Sequence, residues 1–420
     1  MRGRTSVAAE VLARTGSRTN ARDVQPSDVG ARALEAAARI VALKADLDHT
    51  RRMTQEAQAR EALARSELAI ALNATLKAAA ADRQALRRSA AALQAARTPV
   101  PPLRRRAGAN RLWRAATLRL GAPGQAWLLI AAGLWRGPDL SGAIAYVRRR
   151  VDPDARPPSL FDQAWYLSQN EDAAGYGRAP LIHYLLHGAP RGLSPHPLFH
   201  GQWYGQRNAA ELSASGATPL AHFLDRGAAL GSDPHPLFDL ERYRVQAGDI
   251  GAEDPVSHYV RAGWREGLSP HPLFDPAWYR RQLTGPAAAA EVPPLVHYLT
   301  EGWRAGLSPH PLVDPAWYLE RNPDVAELGE EPLTHFLMTG AAEGRNPGPW
   351  FDVAHYRAAR GADVPPGVNP LVDYLEGGAW LVTEARPGLP TAAYLAATPE
   401  IVARGLTPLE HWARVSAGGG

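Results

Sequence analysis

The chain of 420 residues contains no cysteine. That excludes disulfides, cysteine-ligated zinc and a thiol nucleophile, and it fits a reducing compartment. Lysine is nearly absent as well: Lys44 and Lys77 are the only two, so arginine carries the positive charge. Long apolar runs are missing. The first twenty residues, MRGRTSVAAEVLARTGSRTN, are basic but hold no apolar stretch of the kind a secretory signal needs. The longest apolar run, AWLLIAAGLW at 126–135, is about half of a membrane span, which predicts a buried helix.

Catalytic signatures are also lacking. There is no phosphate-binding loop, no G-x-G-x-x-G, no G-x-S-x-G and no H-E-x-x-H. The DPD at 152–154 has the acidic spacing of some metal-dependent glycosyltransferases, but it sits in a proline-rich linker with no nucleotide-binding domain around it. No catalytic, cofactor-binding or metal-ligating residue is therefore expected.

Charge is unevenly placed. Residues 1–119 hold 23 Lys/Arg against 10 Asp/Glu, and the remainder holds 23 against 32. A basic arm can bind nucleic acid or anionic lipid, or attract the acidic half. Here the arginines alternate with acidic residues along a helical stretch, which reads first as a solvated helix face. The densest clusters are RRR at 104–106 and 148–150. Nucleic acid is disfavoured as a partner, and a membrane surface is allowed.

Residues 1–28 read as a flexible basic tail. Residues 29–97 are rich in Ala, Leu, Arg and Glu, all strong helix formers, and have no proline. Ala36, Ile40, Leu43, Leu47, Ala57, Ala64 and Leu68 step alternately by four and three. After one stutter, Leu72, Leu76, Ala79, Leu86, Ala90 and Leu93 continue the seam. The pattern predicts a long helix forming a coiled-coil homo-oligomer, although Thr54, Glu61 and Arg83 interrupt it. Residues 98–122 form a Pro/Arg-rich linker.

From 123 to 412 the chain repeats. Phe or its equivalent stands at Phe161, Phe199, Phe238, Phe274, Val313, Phe351 and Leu389, in steps of 36–39 residues. An aromatic precedes each by fifteen residues: Tyr146, Tyr184, Phe223, Tyr259, Tyr298, Phe336 and Tyr374. This predicts seven full units and a truncated eighth, with a tail at 413–420. Each unit carries two helix signals. In FDPAWY (274–279), Asp275 is placed to cap a helix, Pro276 suits its first position, and Phe274 with Tyr279 suits a hydrophobic staple. Asp162, Asp239, Asp314 and Asp352 repeat the cap. In PLIHYLLHG (180–188), Leu181, Tyr184 and Leu185 share a face. Gly188 is placed to end this helix in a left-handed turn. GLSPHPL then leads to the next cap. The expected fold class is all-α: a long N-terminal coiled-coil helix, then an array of about seven to eight two-helix repeats. One unit is too small to bury a core alone, so neighbours must stack.

Two histidine series recur. One is His183, His222, His258, His297 and His335, with His411 beyond, on the second helix. The other is His196, His235, His271 and His310, between linker prolines. An enzyme needs one site rather than a copy in every unit, and no third ligand recurs beside them for zinc. Structural hydrogen bonding is the leading reading, and a repeated ligand-binding groove is the alternative. On a simple helix His183 points away from the Leu181–Tyr184–Leu185 face, which predicts contact with the linker or a neighbouring unit. Trp127, Trp165, Trp203, Trp278 and Trp317, with the tyrosines that follow four of them, read as core. The end units lose the histidine: Ala145 replaces it in the first and Asp373 in the seventh.

Residues 313–347, VDPAWYLERNPDVAELGEEPLTHFLMTGAAEGRNP, resemble a bacterial repeat of pattern FD-x-x-WYL-x-x-NPDV…PL-x-HYL-x-x-G-x-x-EGR-x-P-x-PLF. That repeat is commonly fused to, or encoded near, glycosyltransferases of surface-polysaccharide synthesis. The resemblance covers about 123–412. NPDV survives in full only at 322–325, and His200 replaces a cap Asp. It implies a non-catalytic scaffold or binding module of glycan assembly. The implied partner is a glycosyltransferase, other polysaccharide machinery or the glycan. The implied location is cytoplasmic, with peripheral contact to the inner membrane allowed. Two other readings stand beside it: a degenerate or partner-dependent glycosyltransferase, and a nucleic-acid or anionic-membrane binder acting through the basic region.

Overall fold

In a computed structural model of the chain, the described residues span 119–418 with short breaks, together with helical positions within 35–78. The tail expected at 1–28, the seam residues Ala36, Ala79, Leu86, Ala90 and Leu93, and most of the linker expected at 98–122 lie outside the described residues. That linker ends earlier than expected, because a helix already begins at Gly121. The chain divides into two compact units, residues 1–68 and 69–420.

In the first unit, residues 37–55 are helical with exposed side chains. Ile40, Leu43 and Leu47 are 54%, 67% and 51% exposed. The hydroxyls of Thr50 and Thr54 donate to the carbonyls of Asp46 and Thr50, one turn back. Thr54, which interrupts the seam, and Thr50 are thus satisfied within the helix itself.

The second unit is helical, with no strand among the described residues. Two-helix units follow one another from Gly121. The first helices include Gln163–Gln169, Gly201–Arg207, Leu240–Ala247, Pro276–Arg281, Pro315–Arg321 and Val353–Arg360. The aspartate caps form as the spacing predicts: Asp162, Asp239, Asp275, Asp314 and Asp352 each accept a first-turn backbone N–H. His200 does the same work through Nδ1, accepting from the Trp203 N–H at 3.2 Å. The unit that departs from the motif keeps its cap. The staple also forms, with the Phe274 and Tyr279 rings 5.5 Å apart.

The second helices hold a feature that periodicity does not reveal. Pro180–His183 is α-helical, and Tyr184–Gly188 widens into a π turn. The same change follows His222, His258, His297 and His335. Gly188 does not end the helix in a left-handed turn: its φ is −69°. That role falls to Gly192, Gly231, Gly267, Gly306 and Gly344, with φ between 71° and 80°.

Each core is a small aromatic knot. The Tyr166 and Tyr184 rings meet edge-on at 6.0 Å and 85°. Tyr204/Phe223, Tyr243/Tyr259, Tyr279/Tyr298, Tyr318/Phe336 and Tyr356/Tyr374 repeat that geometry at 81–88°. The tyrosines are buried as expected. The tryptophans depart from expectation: Trp165, Trp203, Trp278 and Trp317 are half-buried, and Trp127 is 47% exposed. Three of these rings lie under arginines: Trp203 under Arg207 at 4.9 Å, Trp278 under Arg281 at 5.3 Å and Trp317 under Arg321 at 4.5 Å.

Units are stitched by backbone. The Asp162 N–H donates to the Pro195 carbonyl, and His200, Asp239, Asp275 and Asp314 donate in the same way to Pro234, Pro270, Pro309 and Pro347. The Pro of each linker therefore holds the cap residue of the helix pair it follows. Tyr146 and Tyr374 accept, through their hydroxyls, the buried N–H of Leu181 and Leu409 in the next unit. Arg280 reaches back to the Trp264 carbonyl at 2.5 Å. The array also coils onto itself. Arg414 pairs at 2.5 Å with Asp275, 139 residues earlier. The last helix, Pro408–Ser416, buries Ala413. The tail expected from 413 is therefore part of the array as far as Ser416, because this cross-turn pair and the buried Ala413 hold it there.

Candidate functional site: the repeated histidines

The two histidine series occupy two different joints. The helix-borne series meets the first helix of its own unit, not the linker or neighbour that a simple helix predicts. Tyr166 Oη lies 2.9 Å from His183 Nδ1. The same pair forms as Tyr204–His222 at 2.7 Å, Tyr243–His258 at 2.7 Å and Tyr279–His297 at 2.6 Å. Tyr318–His335 and Tyr394–His411 continue it at 2.9 and 2.7 Å. The expected direction fails because the tyrosine one helix away supplies a polar partner inside the core.

Proton placement follows from burial. Desolvation pushes the Tyr166, Tyr204, Tyr243, Tyr279 and Tyr318 phenols well above their ordinary value. A phenol held so high keeps its proton, and Oη donates to Nδ1 wherever the ring's own proton is drawn to Nε2 by an acceptor there. In two units a carboxylate is that acceptor: Glu211 lies 2.9 Å from His222 Nε2, and Asp172 lies 3.5 Å from His183 Nε2. Burial lowers His183, outweighing the pull of Asp172.

Glycine completes this cluster. A Cβ built on Gly188, Gly227, Gly263, Gly302 or Gly340 would overlap the hydroxyl of Tyr166, Tyr204, Tyr243, Tyr279 or Tyr318. The motif glycine is thus required by a close approach and not by a turn. Tyr, His and Gly form one unit of chemistry, and the π turn sets their register.

The end units follow the same logic. In the first, Leu128 stands where the tyrosine would be and Ala145 where the histidine would be, so both partners are lost together. In the seventh, Tyr356 donates to Asp373 at 2.5 Å, and buried Arg360 neutralises that carboxylate at 3.1 Å. Asp373 is a chemical replacement for histidine, matched by an added arginine.

The linker series is buried: His196, His235, His271 and His310 are 7%, 5%, 7% and 3% exposed. Each Nδ1 accepts the backbone N–H two residues on, from Leu198, Leu237, Leu273 and Leu312, at 3.0–3.2 Å. Histidine here imitates an Asx turn. The flanking residue varies with the next helix. Ser194, Asp233 and Asn346 accept the first-turn N–H of Gly201, Leu240 and Val353. Where that position is Pro276 or Pro315, which has no N–H, Ser269 and Ser308 donate instead to linker carbonyls.

The structure therefore brings each candidate histidine into a joint, with Nδ1 engaged in both series. The rings of His258, His297 and His335 are half-buried, so part of each remains at the surface. Among the described residues, no group of three or more His, Asp or Glu is arranged to hold a metal ion. Sequence reasoning misses the tyrosine partner. The signal is its near-constant offset of 15–18 residues from the histidine.

No known family model matches the chain, no curated protein is significantly similar to it, and no solved structure matches it. Among the described residues no helix is long and apolar enough to cross a membrane.

Proposed function

We propose that the chain is a non-catalytic repeat scaffold of bacterial surface-polysaccharide biosynthesis, gathered into homo-oligomers by its N-terminal helix. One observation carries the reading. The polar residues that recur in the repeat motif are engaged inside the array: the Tyr–His pairs join the two helices of a unit, the cap aspartates fix helix starts, and the linker serines and histidines brace the linker backbone. Repetition in this chain builds a surface, and the array presents that surface to a glycosyltransferase, a transporter or the glycan.

The seam at Ile40, Leu43 and Leu47 supports the oligomer, since three apolar side chains on one helical stripe are exposed. Light scattering of the full chain is expected to give a mass that is a multiple of 45.3 kDa. The double change Leu43→Asp and Leu47→Asp is expected to return it to the monomer while leaving the array's melting unchanged. A wild-type monomer would remove the oligomer from the proposal.

The partner is tested by cross-linking in the native host, followed by purification of the tagged full chain. A glycosyltransferase, polysaccharide transporter or polysaccharide is expected to be recovered. Recovery of none of the three would contradict the scaffold reading.

A further inference from the structure

The linker histidines form a row, and that row has a chemistry the scaffold reading does not use. His235 lies within electrostatic reach of His196, His200 and His271, and His271 within reach of His310. The His200 and His235 rings are 5.8 Å apart. Each linker ring already has its Nδ1 facing a backbone N–H. A proton added at Nδ1 would set one N–H against another, so the linker turn must open before the ring can charge. The neighbouring charges differ along the row. His196 faces Asp162 and Asp254, whereas His271 faces Arg242. His235 faces only histidines among the groups acting on it, with half-buried Asp233 in its own linker pushed up to about 7 by burial. His310 is set apart: its Nε2 lies 3.3 Å from Glu410, and Asp275 is close enough to feel it.

We propose that the linkers at His196, His235 and His271 are acid-operated joints that open as pH falls, loosening the stack of units while the helices within each unit stay formed. Burial holds His196 at about 4 and His271 at about 3, and it holds His235 far below the ordinary value. The unfolded value is about 6.5. A histidine depressed on folding stabilises the closed linker fully above the unfolded value. That contribution is lost as pH falls from about 6.5 towards the folded value, because only the open linker takes up the proton. Once one ring is charged, the next gains a like-charged neighbour unless its linker opens too. The inference concerns the joints themselves and holds whatever partner the array engages.

The test is backbone hydrogen exchange of the full chain, read by mass spectrometry at pH 7 and pH 5 and corrected for intrinsic rates. Peptides covering 192–199 and 267–274 are expected to lose protection by roughly tenfold or more, the scale set by one histidine titrating only when open. The peptide covering 231–238 is expected to lose less, because burial raises Asp233, which gains its proton in the closed linker over the same pH range and so opposes His235. The peptide covering 306–313, where Glu410 stands ready to pair with His310, is expected to lose less. So are the first helices. The changes His196→Asn, His235→Asn and His271→Asn keep an acceptor for the same N–H without a titrating ring, and each is expected to abolish the loss at its own linker. Unchanged protection at the three linkers, or the same loss in every peptide of the array, would overturn the proposal. The wild-type comparison between linkers decides it even if an asparagine variant does not fold.

Discussion

Replacing Asp373 by alanine is expected to destabilise the seventh unit by about 3–5 kcal/mol, the usual cost of stranding one member of a buried ion pair. Asp373 and Arg360 are 8% and 6% exposed. The carboxylate accepts from both Tyr356 and Arg360. Alanine would leave a guanidinium and a phenol in the core facing a void. Restoring the motif residue alone should not repair this. In Asp373→His, the imidazole can take the Tyr356 hydroxyl but cannot neutralise Arg360. The sister units show what is missing: Asn170, Asn208 and Asn322 occupy the position of Arg360 and donate to a tyrosine carbonyl at 2.7–2.9 Å. The double change Asp373→His and Arg360→Asn therefore recreates the common arrangement. Urea unfolding followed by near-ultraviolet circular dichroism should place the double variant close to wild type and both single variants well below it. Equal losses in the double and in Asp373→Ala would mean that the pair does not substitute for Tyr–His–Asn.

Gly227→Ala is the second large effect. The backbone there is right-handed helical, φ −57° and ψ −43°, so alanine would ordinarily stabilise by up to about 1 kcal/mol. The Tyr204 hydroxyl reverses the sign, because the new methyl group would overlap it. Overpacking of this kind costs about 1–3 kcal/mol, with the Tyr204–His222 bond displaced as well. Tyr204→Phe alone should cost about 1–2 kcal/mol by leaving His222 Nδ1 without its donor. Combined with Tyr204→Phe, the alanine loses its severe overlap and keeps two tight contacts, His222 Nδ1 and the ring carbon Cζ, both 3.3 Å away, which a shift of a few tenths of an ångström relieves. The double variant should lose clearly less than the two single losses added together. Strict additivity would show that the glycine serves something other than the tyrosine.

Much of this architecture is legible in the order of the amino acids. The period of 36–39 residues, the aspartate caps, proline at the first helical position and the Phe–Tyr staple all act within a few residues, and local physics decides them. Contacts between residues far apart in the chain are not legible in the same way. Gly188 looks like a helix stop because glycine after an apolar helix commonly is one. Only the position of Tyr166 shows why no side chain fits there. His183 projects off the apolar face of a regular helix, but the π turn that follows and the first helix packed beside it give its ring a core partner. His200 looks like a lost cap, yet a ring nitrogen accepts an N–H as a carboxylate oxygen does. The substitution pattern holds the clue to the Tyr–His pair, since Leu128 and Ala145 drop both members in the same unit.

The most direct measurement of the histidines' role is the ring nitrogen spectrum of the full chain labelled with nitrogen-15 at histidine, recorded at pH 7 with and without added zinc. If both series are joints, Nδ1 accepts a hydrogen bond in each of the nine rings at 183, 196, 222, 235, 258, 271, 297, 310 and 335, and zinc leaves them unchanged. Rapidly averaging tautomers at these positions, or shifts of Nδ1 on adding zinc, would contradict that and return the repeated histidines to the role of a ligand site.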